Sequence, residues 1–542
     1  MSKPKIMFYH DGRHPLIYMY EPPMQKVEYQ EAVDQLVGTP VEAINFTTGD
    51  GRTALHETQA GELWGTVNKK WSHIIFRRAH QNAKHLIEEG NDPLRVAIDR
   101  AHEKNKLMYP VLLVQQGSGE YGVDNRTSSF RLNNKHLEIG VKGNISKNDR
   151  SYEYLDFAHE EVRKERFDYI KETINKYDVD GFELQLNYGL LYFDPNEVND
   201  GRKIMTDWIS SISKELKNKG QDKELVVRVS TSVEESYNIG LDLEKWVNDG
   251  LIDVIVGEDN KAKSVTNPNV EYDELLSITK NKDTRVHASL YSHMDSDRLN
   301  EATIESIRGA ACNYWDQGVD GLYIAQWFSQ WPYKASFYEK LREVPYRDIM
   351  DPKDKFYNVA TTTGRQPPGS RIGFTPNSTE TSSDLFSKKH GDSLPVTLET
   401  GKSVKVVTTI ADDLPKWDEV GRVFGVKLRF RITSATETDQ YVFKINGNTI
   451  PDTFLRKINR TYLMASPRHR IFGYWYVFKL PKEFWPSKGK NTLEVTNLKR
   501  DEDIVNLPEL RDVEFEIKYL MGKNYHRSFV DEDLGPYQFG NK

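Results

Sequence analysis

The segment Gly181-Phe182-Glu183-Leu184-Gln185-Leu186-Asn187 sets apolar residues at every second place and gathers Glu183, Gln185 and Asn187 on the opposite face. In a strand covered on both sides, an inward carboxylate must be paired or must serve a site. A second apolar run, Val254-Ile255-Val256-Gly257, ends in the acids Glu258 and Asp259. Cleavage of a glycosidic bond needs two carboxyl groups flanking the bond. One gives a proton to the leaving oxygen, and the other acts as nucleophile or as base for water. Glu183 and Glu258 form the candidate catalytic pair. The plainer readings are a buried ion pair that only braces the strand at Glu183, and a solvated loop acid or helix cap at Glu258.

Other polar residues fall at strand ends where a substrate would bind. Asp11, Arg13, Gln185, Asn187, Arg228, Asp259, His287, Tyr291, Gln326 and Trp327 are the substrate-binding candidates, and Tyr9, Asn45, Ser289 and Tyr323 share the same kind of position. Asp11 reads equally as the turn residue before Gly12. Trp64, Tyr188, Tyr192, Trp327 and Trp331 are candidate platforms for sugar faces, with packing as the alternative. The histidines His10, His14, His287 and His293 lack the spacing of common metal sites, and Cys312 is the one cysteine, so neither a metal nor a cofactor is expected. Arg13, Arg52, Arg126, Arg131 and Arg228 on the same face suggest an anionic glycan, sulfated or uronate-containing, because guanidinium groups bind such anions in bidentate fashion.

These residues need a scaffold that brings them together. Strand-like runs at 5–9, 43–47, 107–114, 181–187, 225–230, 253–256, 285–291 and 321–325 alternate with amphipathic segments such as 75–90, 161–177, 202–217, 241–248 and 300–315. In 161–177, Phe167, Ile170, Ile174 and Tyr177 form the apolar stripe. Eight such pairs predict an α/β fold, a (β/α)8 barrel over 1–350, with a doubly wound sheet as the main alternative. No Gly-x-Gly-x-x-Gly or Walker-type loop follows a strand, which argues against nucleotide binding. A Pro/Gly/Ser/Thr-rich linker or wrapping segment spans 351–384. Short alternating runs over 385–542, with Asn446-Gly447 in a hairpin context, predict an all-β sandwich. Trp475, Tyr476 and Phe478 alternate along one of its strands, which favours bracing over glycan binding for this domain.

With 74 Lys+Arg against 81 Asp+Glu, the net charge of −7 argues against a general grip on nucleic acid. No apolar run approaches the roughly 20 residues that cross a bilayer, so no membrane partner is expected. The opening Met1-Ser2-Lys3-Pro4-Lys5 has no apolar leader. The expected location is secreted or periplasmic with the signal segment missing, and a cytoplasmic one is also open.

Four segments carry a family resemblance: Asp156-Phe157-Ala158-His159-Glu160-Glu161-Val162-Arg163, Tyr177-Asp178-Val179-Asp180-Gly181-Phe182-Glu183-Leu184, Gly240-Leu241-Asp242-Leu243-Glu244-Lys245-Trp246-Val247 and Gly318-Val319-Asp320-Gly321-Leu322-Tyr323. Together they resemble the barrel of family-10-like glycoside hydrolases over about residues 4–345. The resemblance implies a (β/α)8 fold, carbohydrate as substrate and a C-terminal β-sandwich. The chain departs from that pattern at Gln185, where such proteins often carry Asp. This leaves three options: Glu183 paired with Glu258, an acid supplied by Asp11 or Asp259, or a barrel that binds sugar without cutting it.

Overall fold

The computed structural model describes residues 3–51, 53–115, 122–123, 126–260, 265–294, 299, 301–327, 331–360, 394–459 and 473–520. Eight parallel strands form a cylinder: β1 (Ile6–His10), β2 (Ala43–Asp50), β3 (Leu107–Leu113), β4 (Gly181–Gln185), β5 (Glu224–Ser230), β6 (Val254–Glu258), β7 (Arg285–Tyr291) and β8 (Gly321–Ala325). Each pairs with its sequence neighbours, and β1 pairs with both β8 and β2, which closes the barrel. The doubly wound alternative is thereby excluded. The sequence runs read two residues too far at β4, so Asn187 stands just beyond its strand.

Helices pack around the cylinder where the periodicity placed them, including Ile74–Glu88, Glu160–Lys176, Val198–Lys219, Leu243–Asn248 and Ile304–Gln317. In Glu160–Lys176 the buried stripe is Val162, Arg166, Tyr169, Ile170, Thr173 and Ile174, whereas Phe167 is only partly buried. Arg166 belongs to it because its Nε donates to the Val114 carbonyl at the end of β3. The helix Ile304–Gln317 starts at Thr303, whose hydroxyl accepts the Ser306 amide, and stops at Gly318 in the left-handed region (φ 91°), which turns the chain into β8.

One device recurs at the N-terminal end of the barrel. The acid just before each even strand accepts backbone amides of the preceding odd strand. Glu42 takes Ile6 N (3.1 Å), Asp180 takes Met108 N (2.8 Å), Asp253 takes Leu225 N (2.7 Å) and Asp320 takes Val286 N (2.8 Å). These carboxylates lock strand register. After Asp180 and Asp320 comes a glycine, and both glycines make room for a ring inside the barrel. A Cβ on Gly181 would lie 2.1 Å from the Tyr109 ring, and one on Gly321 would lie 2.5 Å from the His287 ring. The Val-Asp-Gly text at 179–181 and 319–321 is thus accounted for by register and packing.

The second half is a sandwich. One sheet orders Lys355–Asn358, Glu509–Tyr519, Val423–Thr433, Tyr474–Leu480 and Leu455–Asn459, with Val396–Thr397 also on Glu509–Tyr519. The other orders Ser403–Ile410, Gly489–Lys499, Gln440–Ile445 and Asn448–Thr449. Asn446 (φ 49°) and Gly447 (φ 85°) both take the left-handed conformation that a type I′ hairpin turn requires. Residues 355–358, expected within the linker, form a strand of the larger sheet, and 361–393 lie outside the described residues. Phe478 and Tyr476 pack between the sheets, while Trp475 is buried on the other face with Val477.

The sandwich sits on the helix Ile304–Gln317. Gly309 lies against the Phe356 backbone, and Asn313 donates to the Thr409 carbonyl at 2.9 Å. Beside this seam, buried Asp412 pairs with Lys355 (2.8 Å) and accepts the hydroxyls of Tyr357 and Tyr519, both at 2.6 Å.

Filling the space a core glycine leaves forces neighbours off their rotamers at a cost of about 1–3 kcal/mol. Gly181→Ala is therefore expected to destabilise the fold by about that amount, read as a shift of the urea midpoint at unchanged m-value. A Gly181→Ala midpoint equal to wild type would reject the packing role.

Candidate functional site

Inward side chains of an eight-stranded barrel stack in tiers of four taken from alternate strands, because closing the cylinder staggers the register. The register aligns Val111 with Glu183, Glu183 with Val226, Arg228 with Val256 and Ser289 with Tyr323. Followed around the barrel with that stagger, it places Asn45, Glu183, Val256 and Tyr323 in one tier. Tyr9, Val111, Arg228 and Ser289 form the next tier toward the C-terminal mouth. Thr47, Gln185, Glu258 and Ala325 lie above that.

The hydrogen bonds agree with this order. Within the lowest of these tiers, Asn45 Nδ2 donates to Glu183 Oε2 at 2.7 Å, and the Tyr323 hydroxyl lies 2.8 Å from Oε2 and 3.1 Å from Oε1. One tier up, Arg228 Nε stands 3.0 Å from Glu183 Oε1 as an ion pair without hydrogen-bond geometry. The same guanidinium reaches upward, with Nη1 3.4 Å from Glu258 Oε1. It lies over the rings of Tyr9 (4.5 Å) and Tyr323 (5.1 Å), so aromatic faces as well as carboxylates meet its charge.

Glu258 is gripped from several sides. Asn187 donates to Oε2, Ser289 Oγ is 3.5 Å from Oε1, and the Tyr291 hydroxyl also bonds the carboxylate. Burial, foremost, and Glu258 push the Tyr291 hydroxyl far above its ordinary range, so it keeps its proton and donates. Arg228, Ser289 and Tyr291 come from the two strands that flank β6 and Asn187 from beyond the end of β4, so Glu258 is neither a helix cap nor a loop acid in water. Glu183 is fully covered at 0% exposure, whereas Glu258 retains 6%. Burial pushes the Glu183 carboxyl above its usual range against the opposing pull of Arg228, Tyr323 and Asn45.

The remaining candidates divide. Gln185 shares the tier of Glu258; its Nε2 donates to Asn187 Oδ1 at 3.5 Å, while Oε1 is buried and accepts no hydrogen bond among the described residues. Asp11, at the end of β1, accepts the amides of His14 (2.8 Å) and Arg13 (3.0 Å) and pairs with the Arg13 guanidinium at 3.4 Å, so the turn reading is realised. Burial would raise the Asp11 carboxyl, yet Arg13, His14 and His10 together hold it below its usual range. Gln326 ends β8 at a positive φ of 53°, half-buried, with its carbonyl accepting Ser292 Oγ.

Three expectations are corrected. Asp259 follows Glu258 and so turns away from the barrel interior, where it accepts a hydrogen bond from Asn267. His287 lies below the tier of Glu183, against Gly321 and Arg285, on the side away from the mouth. Trp327 is fully buried in the shell, donating to the Leu290 carbonyl and packing on Phe337, so its ring cannot carry a sugar. Trp64 and Tyr192 are likewise buried at 0%. Of the arginines, Arg131 and Arg228 are buried in internal ion pairs, Arg13 pairs with Asp11, and Arg52 lies outside the described residues. Tyr9, Asn45, Ser289 and Tyr323 gain importance beyond their place among polar strand ends. Inward alternation was the signal for them, but the stagger that makes them partners is a property of the closed barrel.

No group of His, Cys, Asp and Glu among the described residues could hold a metal ion, and no helix among them is long and apolar enough to cross a membrane. No protein-family model matches the sequence, and no curated protein matches it, so the family-10-like assignment gains no support from either comparison. Solved structures similar to this chain include three enzymes. A cycloisomaltooligosaccharide glucanotransferase from Paenibacillus sp. is 12% identical with a TM-score of 0.33, over 94% of this chain and 57% of that one. An endo-1,4-β-mannanase from Rhizomucor miehei is 12% identical with a TM-score of 0.38, over 60% and 87%. An α-amylase from Geobacillus thermoleovorans is 11% identical with a TM-score of 0.38, over 92% and 98%. The chain thus spans little more than half the length of the glucanotransferase.

Three fully buried imidazoles add a pH dependence. Burial pushes His10 and His56 down to about 4 and His287 to about 3, so all three are neutral in the folded protein near neutral pH. Unfolding releases them to their ordinary value near 6.5. Below that pH the unfolded chain takes up protons that the native chain refuses, and stability falls as pH drops from about 6.5 toward 4. Each such group contributes a slope of up to about 1.4 kcal/mol per pH unit. Urea unfolding at pH 7, 6 and 5 is expected to show a shallower fall for His287→Gln than for wild type. Parallel pH dependences would reject the assignment of a neutral buried imidazole.

Proposed function

We propose that the protein is a glycoside hydrolase that cleaves a glycosidic bond of an oligosaccharide or polysaccharide at the C-terminal mouth of the barrel, with Glu258 as the carboxyl that meets the sugar. The observation that carries this reading is the environment of Glu258. A carboxylate on the inner wall, at the upper end of β6, is oriented by Arg228, Asn187, Ser289 and Tyr291 while keeping a path to solvent. Groups held this rigidly suit attack at an anomeric carbon or activation of water, where orientation contributes much of the rate. Asp11 on β1, three strands away around the rim, is the opposing carboxyl. Held ionised by Arg13 and two amides, it suits the role of hydroxyl ligand or of base for the attacking water, and the leaving oxygen takes its proton from solvent water at the mouth. Gln185 Oε1, buried without a hydrogen-bond partner among the described residues, is the acceptor assigned to a sugar hydroxyl.

Arg131 and Arg228 are occupied internally and Arg13 is shared with Asp11, so the candidate cations for an anionic glycan among the described residues are Arg13 and Arg126. Equal hydrolysis of a neutral glycan and its sulfated counterpart is the expected outcome if Arg13 and Arg126 do not bind substrate anions.

A second reading, sugar binding without cleavage, is favoured by the amide at Gln185 and by the complete burial of Glu183. Product analysis on a panel of plant and marine polysaccharides separates the two. The hydrolase reading predicts new reducing ends with wild type, and a fall in kcat of at least about 100-fold for Glu258→Gln. Affinity for an oligosaccharide with no product released would establish the second reading and end the first.

A further inference from the structure

We infer that Glu183 is a positioning residue, which fixes Arg228 from the tier below so that the guanidinium orients Glu258, and that Glu183 itself never meets the sugar. The inference rests on the role proposed for Glu258 and assigns the second buried glutamate a different task from the one its sequence context suggested.

Both oxygens of Glu183 are already engaged. Oε1 faces Arg228 Nε and the Tyr323 hydroxyl, and Oε2 faces the Tyr323 hydroxyl and Asn45 Nδ2. A proton donor must come within hydrogen-bond reach of the leaving oxygen, directly or through one water. The tier containing Tyr9, Arg228 and Ser289 lies between Glu183 and the mouth, and no part of the Glu183 side chain is exposed. What Glu183 does touch is the guanidinium that stands 3.4 Å from Glu258. Arg228 is itself fully buried, walled by the rings of Tyr9 and Tyr323, so the lower carboxylate supplies an anchor that solvent cannot replace. Without it, the height and tilt of the guanidinium are set from above only, and Glu258 loses a fixed neighbour.

The test compares wild type, Glu183→Gln and Tyr323→Phe on aryl glycosides of the sugar the enzyme releases, with leaving groups graded in acidity. Misplacement of a reacting group by about 1 Å costs on the order of 100-fold. Positioning therefore predicts that Glu183→Gln lowers kcat by about 100-fold. The factor should be the same for good and poor leaving groups, with KM moving less than kcat and no rescue by azide. Tyr323→Phe, which keeps the charge pair, should show a smaller fall with the same indifference to leaving group. It carries the test if circular dichroism shows that Glu183→Gln is unfolded. A loss that vanishes with acidic leaving groups would make Glu183 the proton donor, and azide rescue would make it the nucleophile. Either result overturns the inference and leaves the hydrolase reading standing, and unchanged turnover in both variants overturns it as well. If wild type releases no product from any glycan, the hydrolase reading fails separately. The inference is then decided by crystal structures of wild type and Glu183→Gln: a displaced Glu258 carboxylate supports it and an unmoved one ends it.

Discussion

The buried guanidinium of Arg228 constrains the whole upper half of the barrel. A cation deprived of water inside a ring of strands costs several kcal/mol unless carboxylates and hydrogen-bonding groups surround it. The chain answers with Glu183 below, Glu258 above and two tyrosine rings at the sides. Those carboxylates then need donors of their own, which Asn45 and Tyr323 provide below and Asn187, Ser289 and Tyr291 provide above. Barrels usually fill these tiers with Val, Ile and Leu. Here Met7, Ala43, Val226 and Val254 share the lower interior with His287 and with the Arg285–Glu224 pair (2.7 Å), where the Tyr109 hydroxyl donates to Glu224 at 2.9 Å. Charge thus replaces packing at both ends of the interior, and the cluster around Arg228 is the one on the side of the C-terminal mouth.

Much of the architecture was legible because its signal is local. A run such as Leu225 to Val229 is apolar throughout since both faces of its strand are covered, and the stripe of Glu160–Lys176 repeats every three to four residues. The strand Lys355–Asn358 was not legible, because four residues with a lysine at one end carry no periodicity. Lys355 is buried there with its charge met by Asp412, more than fifty residues away, and its other protons by the Asp351 and Lys353 carbonyls. Trp327 misled for a similar reason. Its place after β8 matches that of a platform residue, but which way the chain turns past Gln326 depends on a left-handed backbone that sequence alone does not announce.

The candidate site was legible in composition and not in depth. Alternation gathered Glu183, Gln185 and Asn187 on one face, while Arg228, Glu258 and Ser289 stood out only as polar residues of strands or strand ends. Alternation gives only a face, however. The height of a side chain inside a closed barrel depends on stagger summed from strand to strand, and that sum put Glu183 below Arg228 and His287 lower still. Two glutamates that look equivalent along the sequence therefore differ in depth, one fully covered below Arg228 and the other above it with 6% exposure, although both oxygens of each are engaged.

The motifs that carry the family resemblance divide along the same axis. Asp180-Gly181 and Asp320-Gly321 sit at the N-terminal end, where the aspartates lock strand register and the glycines admit the rings of Tyr109 and His287. That end of a barrel bears stability, and the opposite end bears chemistry. Text of this kind is demanded by any closed cylinder that solves its lower packing with the same rings, whatever the upper end does. It accounts for how a sequence can announce its fold through Val-Asp-Gly repeats while its reactive end, with Gln185 where an acid is common, follows a pattern of its own. In the tiers above Tyr323, Glu258, Ser289 and Asn187 gather around the charge of Arg228, while Gln185 Oε1 is left buried without a hydrogen-bond partner among the described residues.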